Sequence, residues 1–393
     1  MKKFLTATAA VALMASGAAA EEVKIGILQG FTGPTESLVG PMASAMEMAI
    51  EEVNASGKFM NGMTVVPVRG DSTCIDASAG TAAAERAITA DGVKGIVGGT
   101  CSGVTGAILA NVAVPNGIVM ISPSATSPAL TTAEDNGLFF RTAPSDARQG
   151  EVMANILLDD GVKSVAVTYT NNDYGKGLAD AFAAAYTDKG GEVTISAAHE
   201  DGKADYSAEV AALAAAGGEV LVVAGYLDQG GAGTIRSALD TGAFDRFHLP
   251  DGMVGQSLSD AFGTEIEGSK GQAPGSNSEG TKIFQDMGAD KFDSQSPYTA
   301  EGYDAAALIM LAMQAAGSTD PNVYKDKVEM VANAPGEKIN PGELGKALEI
   351  LANGGDVDLV GATGIELIGP GEAAGSYRVV EIKDGKFETV EYR

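Results

Sequence analysis

Gly95-Ile96-Val97-Gly98-Gly99-Thr100-Cys101-Ser102 reads as a short apolar strand that stops on glycine, turns through small polar side chains and opens a helix. The same unit recurs on both sides of it. Upstream, Val23-Lys24-Ile25-Gly26-Ile27-Leu28 is a strand leading into the Gly/Pro loop Gly30 to Pro34, followed by a helical pattern from Pro41 to Asn54. Met63 to Val68 is a second strand and Ala77 to Ala90 an alanine-rich helix. Downstream, Ile118 to Ser122 is a strand that ends in the turn Pro123 to Pro128. The series then restarts. Ser164 to Thr170, Glu192 to Ala197, Val220 to Ala224 and Phe247 to Pro250 read as strands. Helices are predicted over 174–188, 207–216 and 230–241. Strands alternating with helices of this length predict right-handed βαβ units, parallel sheets and two doubly wound α/β domains. After Gly280 the pattern turns helical, over 300–316, 321–332 and 341–351. It closes with strand-like pieces at 364–368, 377–382 and 387–392.

The termini and composition bound what such a chain does. Lys2 and Lys3, the apolar run Phe4 to Met14 and Ala18-Ala19-Ala20 together read as a signal peptide over 1–20, cleaved before Glu21. The longest apolar stretch after it, Ala305 to Ala316, suits a buried helix and not a membrane span. Export to the periplasm is therefore expected, and with it a disulfide between the only two cysteines, Cys74 and Cys101. The balance of 26 basic against 52 acidic side chains repels phosphate backbones and anionic lipid. Neither nucleic-acid binding nor membrane insertion is expected.

No cofactor or metal is expected either. There is no P-loop, and Gly230-Gly231-Ala232-Gly233 lacks the dinucleotide spacing. In Gly99-Thr100-Cys101-Ser102-Gly103 the serine stands one place off a nucleophile elbow. His199 and His248 sit in no catalytic or zinc pattern. The chain reads as a binder and not an enzyme.

The chemistry on offer lies at strand-to-helix junctions, where doubly wound folds bind ligands. Ser102 can cap the helix after its strand. Ser124-Ala125-Thr126 offers hydroxyls and backbone N–H groups fit for a carboxylate, although Ser and Thr supply ordinary caps and turns equally well. Tyr174, Tyr226 and Asp251 follow three strands of the second series. Each alone also reads as a surface or turn residue.

These segments resemble the leucine/isoleucine/valine-binding group of periplasmic binding proteins, over nearly the whole mature length. The carrying stretches are Lys24 to Leu28 with Gly33-Pro34, Gly98 to Ser102, Met120 to Pro128, Phe140-Arg141-Thr142, Tyr174 to Gly177 and Ala224-Gly225-Tyr226. The resemblance implies two type I lobes joined by a three-crossing hinge. Lobe one is then 21–142 plus 273–375, and lobe two 143–272 plus 376–393. It also implies bridged counterparts of Cys74 and Cys101, and a monomer that presents a small amino acid or analogue to the permease of an ABC importer. A sensory binding protein docking on a membrane receptor is the alternative. By the same resemblance Ser102 and Thr126, with the backbone at Ser124 and Ala125, hold the ligand carboxylate. Asp251 holds the ammonium, Tyr174 and Tyr226 close over the ligand, and Tyr298 flanks its side chain. Two departures stand out. Asp251 occupies a position where leucine-binding members usually carry Glu, and the loop Thr35 to Gly40 offers Leu38 and Val39 instead of a tyrosine. A branched aliphatic amino acid is the first expectation; small polar amino acids, amides and aromatic carboxylates are the alternatives.

Overall fold

The computed structural model describes residues 21–393, so the expected signal peptide lies outside the described residues. β1 (Glu22–Gln29), β2 (Thr64–Asp71), β3 (Ile96–Gly98), β4 (Met120–Ser122) and β5 (Phe139–Arg141) form a five-stranded sheet of order β2-β1-β3-β4-β5, with every pair parallel. β6 (Ser164–Thr170), β7 (Glu192–His199), β8 (Val220–Ala224), β9 (Phe247–Leu249) and β10 (Lys270–Pro274) belong to a second sheet. Its order runs from the terminal strand Lys386–Tyr392 through Tyr377–Lys383 to β10-β9-β8-β6-β7. Only the two C-terminal strands pair antiparallel.

Each sheet is covered on both faces, as near-continuous apolar strands require. On one face of the first sheet, Ile25, Ile27, Val97 and Ile121 share a core with Met42, Met46 and Ile50 of α1 (Glu36–Ser56) and with Leu308 and Leu311 of the buried helix Thr299–Ala316. The helical block after Gly280 is thus one cover of the first sheet. Its other face packs Leu28, Ile96 and Met120 against Ala84 of α2 (Ala77–Arg86) and Val104 and Ile108 of α3 (Ser102–Ile108). The second sheet is sandwiched likewise, between the helix pair Asp146–Asp159 and Asp173–Asp188 and a layer that includes Ser207–Ala216 and Gly230–Thr241.

The chain passes between the sheets after β5, after β10 and after Glu372–Ala373. The three passages are laced together. Pro144 bridges to Ala373, and the Gly275 N–H donates to the Ser376 carbonyl at 3.0 Å. Gly375 has φ 56°, and a Cβ there would stand 2.7 Å from the Pro144 ring, so this crossing needs glycine twice over.

Several element boundaries differ from expectation. α1 starts at Glu36, not Pro41, because Leu38, Val39 and Met42 all bury; Pro41 stands in the second turn, where the helix forgoes the N–H that would reach the Ser37 carbonyl. The predicted helix over 321–332 breaks into Pro321–Tyr324 and Val328–Ala332 around a 3-10 turn. The predicted strand over 364–368 shrinks to Leu367–Ile368. Ser102 does not cap α3. It is the first residue of that helix, and its hydroxyl accepts from the Ser127 N–H at 3.1 Å.

Glu301 is buried beside the crossings, where its carbonyl accepts the Thr142 hydroxyl at 2.8 Å. Burial lifts its carboxyl from 4.5 to about 7. A carboxyl raised in the fold favours the fold while protonated, so this stabilisation is complete below 4.5 and is lost as pH rises to 7. Glu301→Gln is expected to remove that slope, leaving the variant roughly 3 kcal/mol more stable than the parent at pH 8 and level with it at acid pH. Urea midpoints across the range measure this, and parallel curves would refute it.

Candidate functional site

A cavity lies between the two sheet units. Ser102, at the start of α3, and Ser124, on the turn after β4, supply hydroxyls to its wall. The second unit contributes Tyr174, Tyr226 and Asp251, and Tyr298 enters from the start of the helix Thr299–Ala316. Six of the eight expected site residues therefore meet around one space.

Ala125 and Thr126 are not among the residues that line it. Both are fully buried. The Ala125 N–H donates to the Ser122 hydroxyl at 2.9 Å, and the Ser124 N–H to the same oxygen at 3.3 Å. Ser122 in turn donates to the Gly99 carbonyl at 2.7 Å. These groups brace the turn from behind. Cys74 and Cys101 are bridged, with Cα atoms 5.2 Å apart, and Cys101 stands in the cavity wall beside Ser102.

Asp251 is the chemical centre. It follows β9, is buried, and collects hydroxyls from both units: Tyr174 Oη donates to Oδ1 at 2.6 Å, and Tyr298 Oη donates to Oδ2. Tyr174 also accepts the Gly252 N–H at 3.1 Å and stacks on Tyr226 with ring centroids 5.1 Å apart. Tyr298 sits in the left-handed region at φ 66°, a costly conformation for a bulky side chain and one that points to a site held under constraint. Burial raises the Asp251 carboxyl above the ordinary carboxylate range, opposed by its hydrogen bonds from Tyr174, Tyr298 and Gln149.

Behind it lies a polar chain that the sequence did not announce. Gln149 donates to Asp146 Oδ1 at 2.8 Å. Its own oxygen accepts the Asp251 N–H at 3.2 Å and the Gln272 amide at 2.8 Å. Gln272 meets His248 Nε2 at 2.8 Å, and burial holds that imidazole down to about 4, hence neutral. Asp146 is fully buried. Burial first, and then the charge of Asp251, push its carboxyl well above the usual range. Neither acid has an ion-pair partner among the described residues. The arrangement favours a cation in the cavity against Asp251, with the Ser102 hydroxyl, which accepts the Ser127 N–H and keeps its own proton, on the opposite wall for an anion; the Ser124 hydroxyl donates to the Thr100 carbonyl at 3.0 Å. No group of three or more His, Cys, Asp or Glu is placed to hold a metal among the described residues, and no described helix is long and apolar enough to cross a membrane.

Arg141 lies in the Phe140-Arg141-Thr142 stretch at the end of β5. It is buried, donates to the carbonyls of Ala125 at 3.2 Å and Ser127 at 2.9 Å, and pairs with Glu372. It anchors the turn that carries Ser124.

The sequence pattern of periplasmic binding proteins matches residues 22–335. A Leu/Ile/Val-binding protein homolog of Brucella melitensis is 33% identical over 330 residues, covering 81% of this chain and 86% of its own. A leucine binding protein of Thermotoga maritima has the same fold, with a TM-score of 0.79 at 23% identity over 94% of this chain and 98% of that one. A solute binding protein of an R. palustris ABC transporter, solved in complex with benzoate, gives 0.72 at 18% identity over 94% and 96%.

Proposed function

The chain belongs to the periplasmic binding protein family, and from that premise we propose that it captures a small α-amino acid in the interlobe cavity and delivers it to the permease of an ABC importer. Its homologues and fold are those of substrate-binding proteins, not enzymes. Lobe one is taken as 21–142 with 273–375, and lobe two as 143–272 with 376–393. A branched aliphatic side chain is the first choice, in keeping with the printed names of the relatives and with Leu38 and Met42 in the cavity wall.

One observation carries the reading. Asp251, with a second buried acid close behind it, faces the cavity between the lobes without any Lys or Arg paired to it among the described residues. An ammonium completes that site and a benzoate does not. Asp251 binds the ammonium. The Ser102 hydroxyl receives the carboxylate, and Ser124 joins it by turning its hydroxyl from the Thr100 carbonyl, braced by Ala125 and Thr126 behind them. Tyr174, Tyr226 and Tyr298 enclose the ligand. Both lobes touch it at once, so binding shifts the population toward the closed form, which the periplasmic protein presents to the permease as a monomer.

Titration calorimetry of ligand-stripped protein against leucine, isoleucine, valine, small polar amino acids, amides and benzoate tests this. One-to-one binding of an aliphatic amino acid is expected. Binding of benzoate with silence from every amino acid would overturn the ammonium role of Asp251.

A further inference from the structure

Helix α1 begins without a cap of its own. Thr35, at its start, makes no side-chain hydrogen bond to the first turn, although the free N–H groups of a helix start ordinarily take one. The acceptor comes from across the cleft. Asp228, on the loop after β8, accepts both the N–H and the hydroxyl of Ser37 at 2.9 Å. The same carboxylate accepts the Ser257 hydroxyl at 2.7 Å, and the Asp228 N–H donates to the Pro34 carbonyl at 3.2 Å. One residue further, Leu38 is buried in the apolar cluster of the opposite unit, with Leu227, Met253 and Leu258. Its fit depends on Gly255, where a Cβ would stand 3.1 Å from Leu38 Cδ2 and 2.5 Å from Leu227 Cδ1.

We propose that the start of α1 is a clasp: Asp228 caps the helix in trans and Leu38 plugs the second lobe, so that the closed form is held by contacts independent of the ligand. The inference rests on the two-lobed, closing reading above but not on which ligand is bound. Opening leaves the Ser37 N–H and hydroxyl without their acceptor and exposes Leu38, while the Glu36 and Leu38 N–H groups keep the Gly33 and Thr35 carbonyls; closing repairs both losses. A carboxylate at the positive end of a helix of 21 residues is favoured by the helix dipole as well as by its hydrogen bonds. Asp228 does not line the cavity. The Asp228 half of the clasp therefore scales the affinity for every ligand by one factor and leaves selectivity unchanged, whereas Leu38 also lines the cavity.

A disulfide trap placed away from the clasp reads closure without any ligand. A Cβ on Gly103 would stand 3.9 Å from Asp173 Cβ across the cleft, the separation a disulfide requires. In ligand-free protein carrying Gly103→Cys and Asp173→Cys, the rate of bond formation between the two introduced thiols under mild oxidation, followed by peptide mapping, reports the closed population. Adding Asp228→Ala is expected to slow that rate about tenfold. Asp228→Asn, which keeps an acceptor but loses the charge, should fall between, and Ser257→Ala should slow trapping less than Asp228→Ala does. Equal rates in the parent and in Asp228→Ala would overturn the clasp. So would a parent that never forms the bond, since the lobes would then not close unaided. Neither result depends on the identity of the ligand.

Discussion

Asp251→Ala is expected to weaken binding of the cognate amino acid by roughly 100- to 1000-fold, about 3–4 kcal/mol, while the unliganded protein unfolds at nearly the parental temperature. The asymmetry follows from what the carboxylate does in each state. Without ligand, Asp251 is a buried acid whose ionisation is opposed by desolvation, and its only support is hydrogen bonds from Tyr174, Tyr298 and its surroundings. Removing it costs those bonds but relieves an uncompensated charge and lessens the repulsion that lifts Asp146. With ligand present the balance reverses, because the ammonium is left in a closed cavity with no counter-charge against it. Asp251→Asn should recover part of the loss, since an amide oxygen still accepts from an ammonium but carries no charge. Calorimetry on the two variants, beside thermal unfolding without ligand, measures both halves. Parental affinity in Asp251→Ala would remove the ammonium anchor from this position.

The sequence disclosed the layers better than the joints, and the reason lies in particular residues. β1, β6 and β8 are runs of buried apolar side chains, so periodicity and glycine punctuation reveal them without help. β5 is three residues long and ends on Arg141; β10 contains Gln272 and ends on Pro274. Both look like loops until their polar side chains are seen to be satisfied inside. The helix Asp146–Asp159 escaped for the same cause. Its buried face opens with Asp146, Gln149 and Gly150 before turning apolar, so the stripe that marks an amphipathic helix is missing from its first turns. The polar chain from Asp146 to His248 was invisible because it joins three separate segments through amides, which carry no motif. Ser145, capping the Ala147 N–H at 3.3 Å just before two polar residues spaced i, i+3, was the one available signal. The site residues on strand ends were legible because the fold class itself places ligands there. In sequence Leu38 reads as part of the loop Thr35 to Gly40; only the earlier start of α1 turns it across the cleft.

Arg141→Met is expected to destabilise the protein by about 3–5 kcal/mol, the cost of breaking a buried pair from one side. The guanidinium is 1% exposed and holds four groups together: the carbonyls of Ala125 and Ser127, the Thr131 hydroxyl at 2.9 Å, and Glu372. Thr131 donates to the same carboxylate, so the whole turn from Ala125 to Thr131 is pinned to the strand beside the third crossing. A methionine fills much of the volume but leaves Glu372 without its counter-charge and the buried Ala125 carbonyl without a donor, while the Ser127 carbonyl keeps only the Leu130 N–H at 3.2 Å. Arg141→Lys should restore little, because a single ammonium cannot reproduce the planar fork that reaches these acceptors together. The informative variant is the double one. Arg141→Met with Glu372→Leu removes both charges, and it should be more stable than Arg141→Met alone if the stranded carboxylate dominates the loss. Ligand affinity should nevertheless stay low in the double variant, because the turn that carries Ser124, and whose Ser127 N–H holds the Ser102 hydroxyl, has lost its anchor. Urea unfolding read beside calorimetry separates the two effects. Recovery of stability without recovery of binding would assign Arg141 to shaping the anion wall, whereas recovery of both would reduce it to one half of an ion pair.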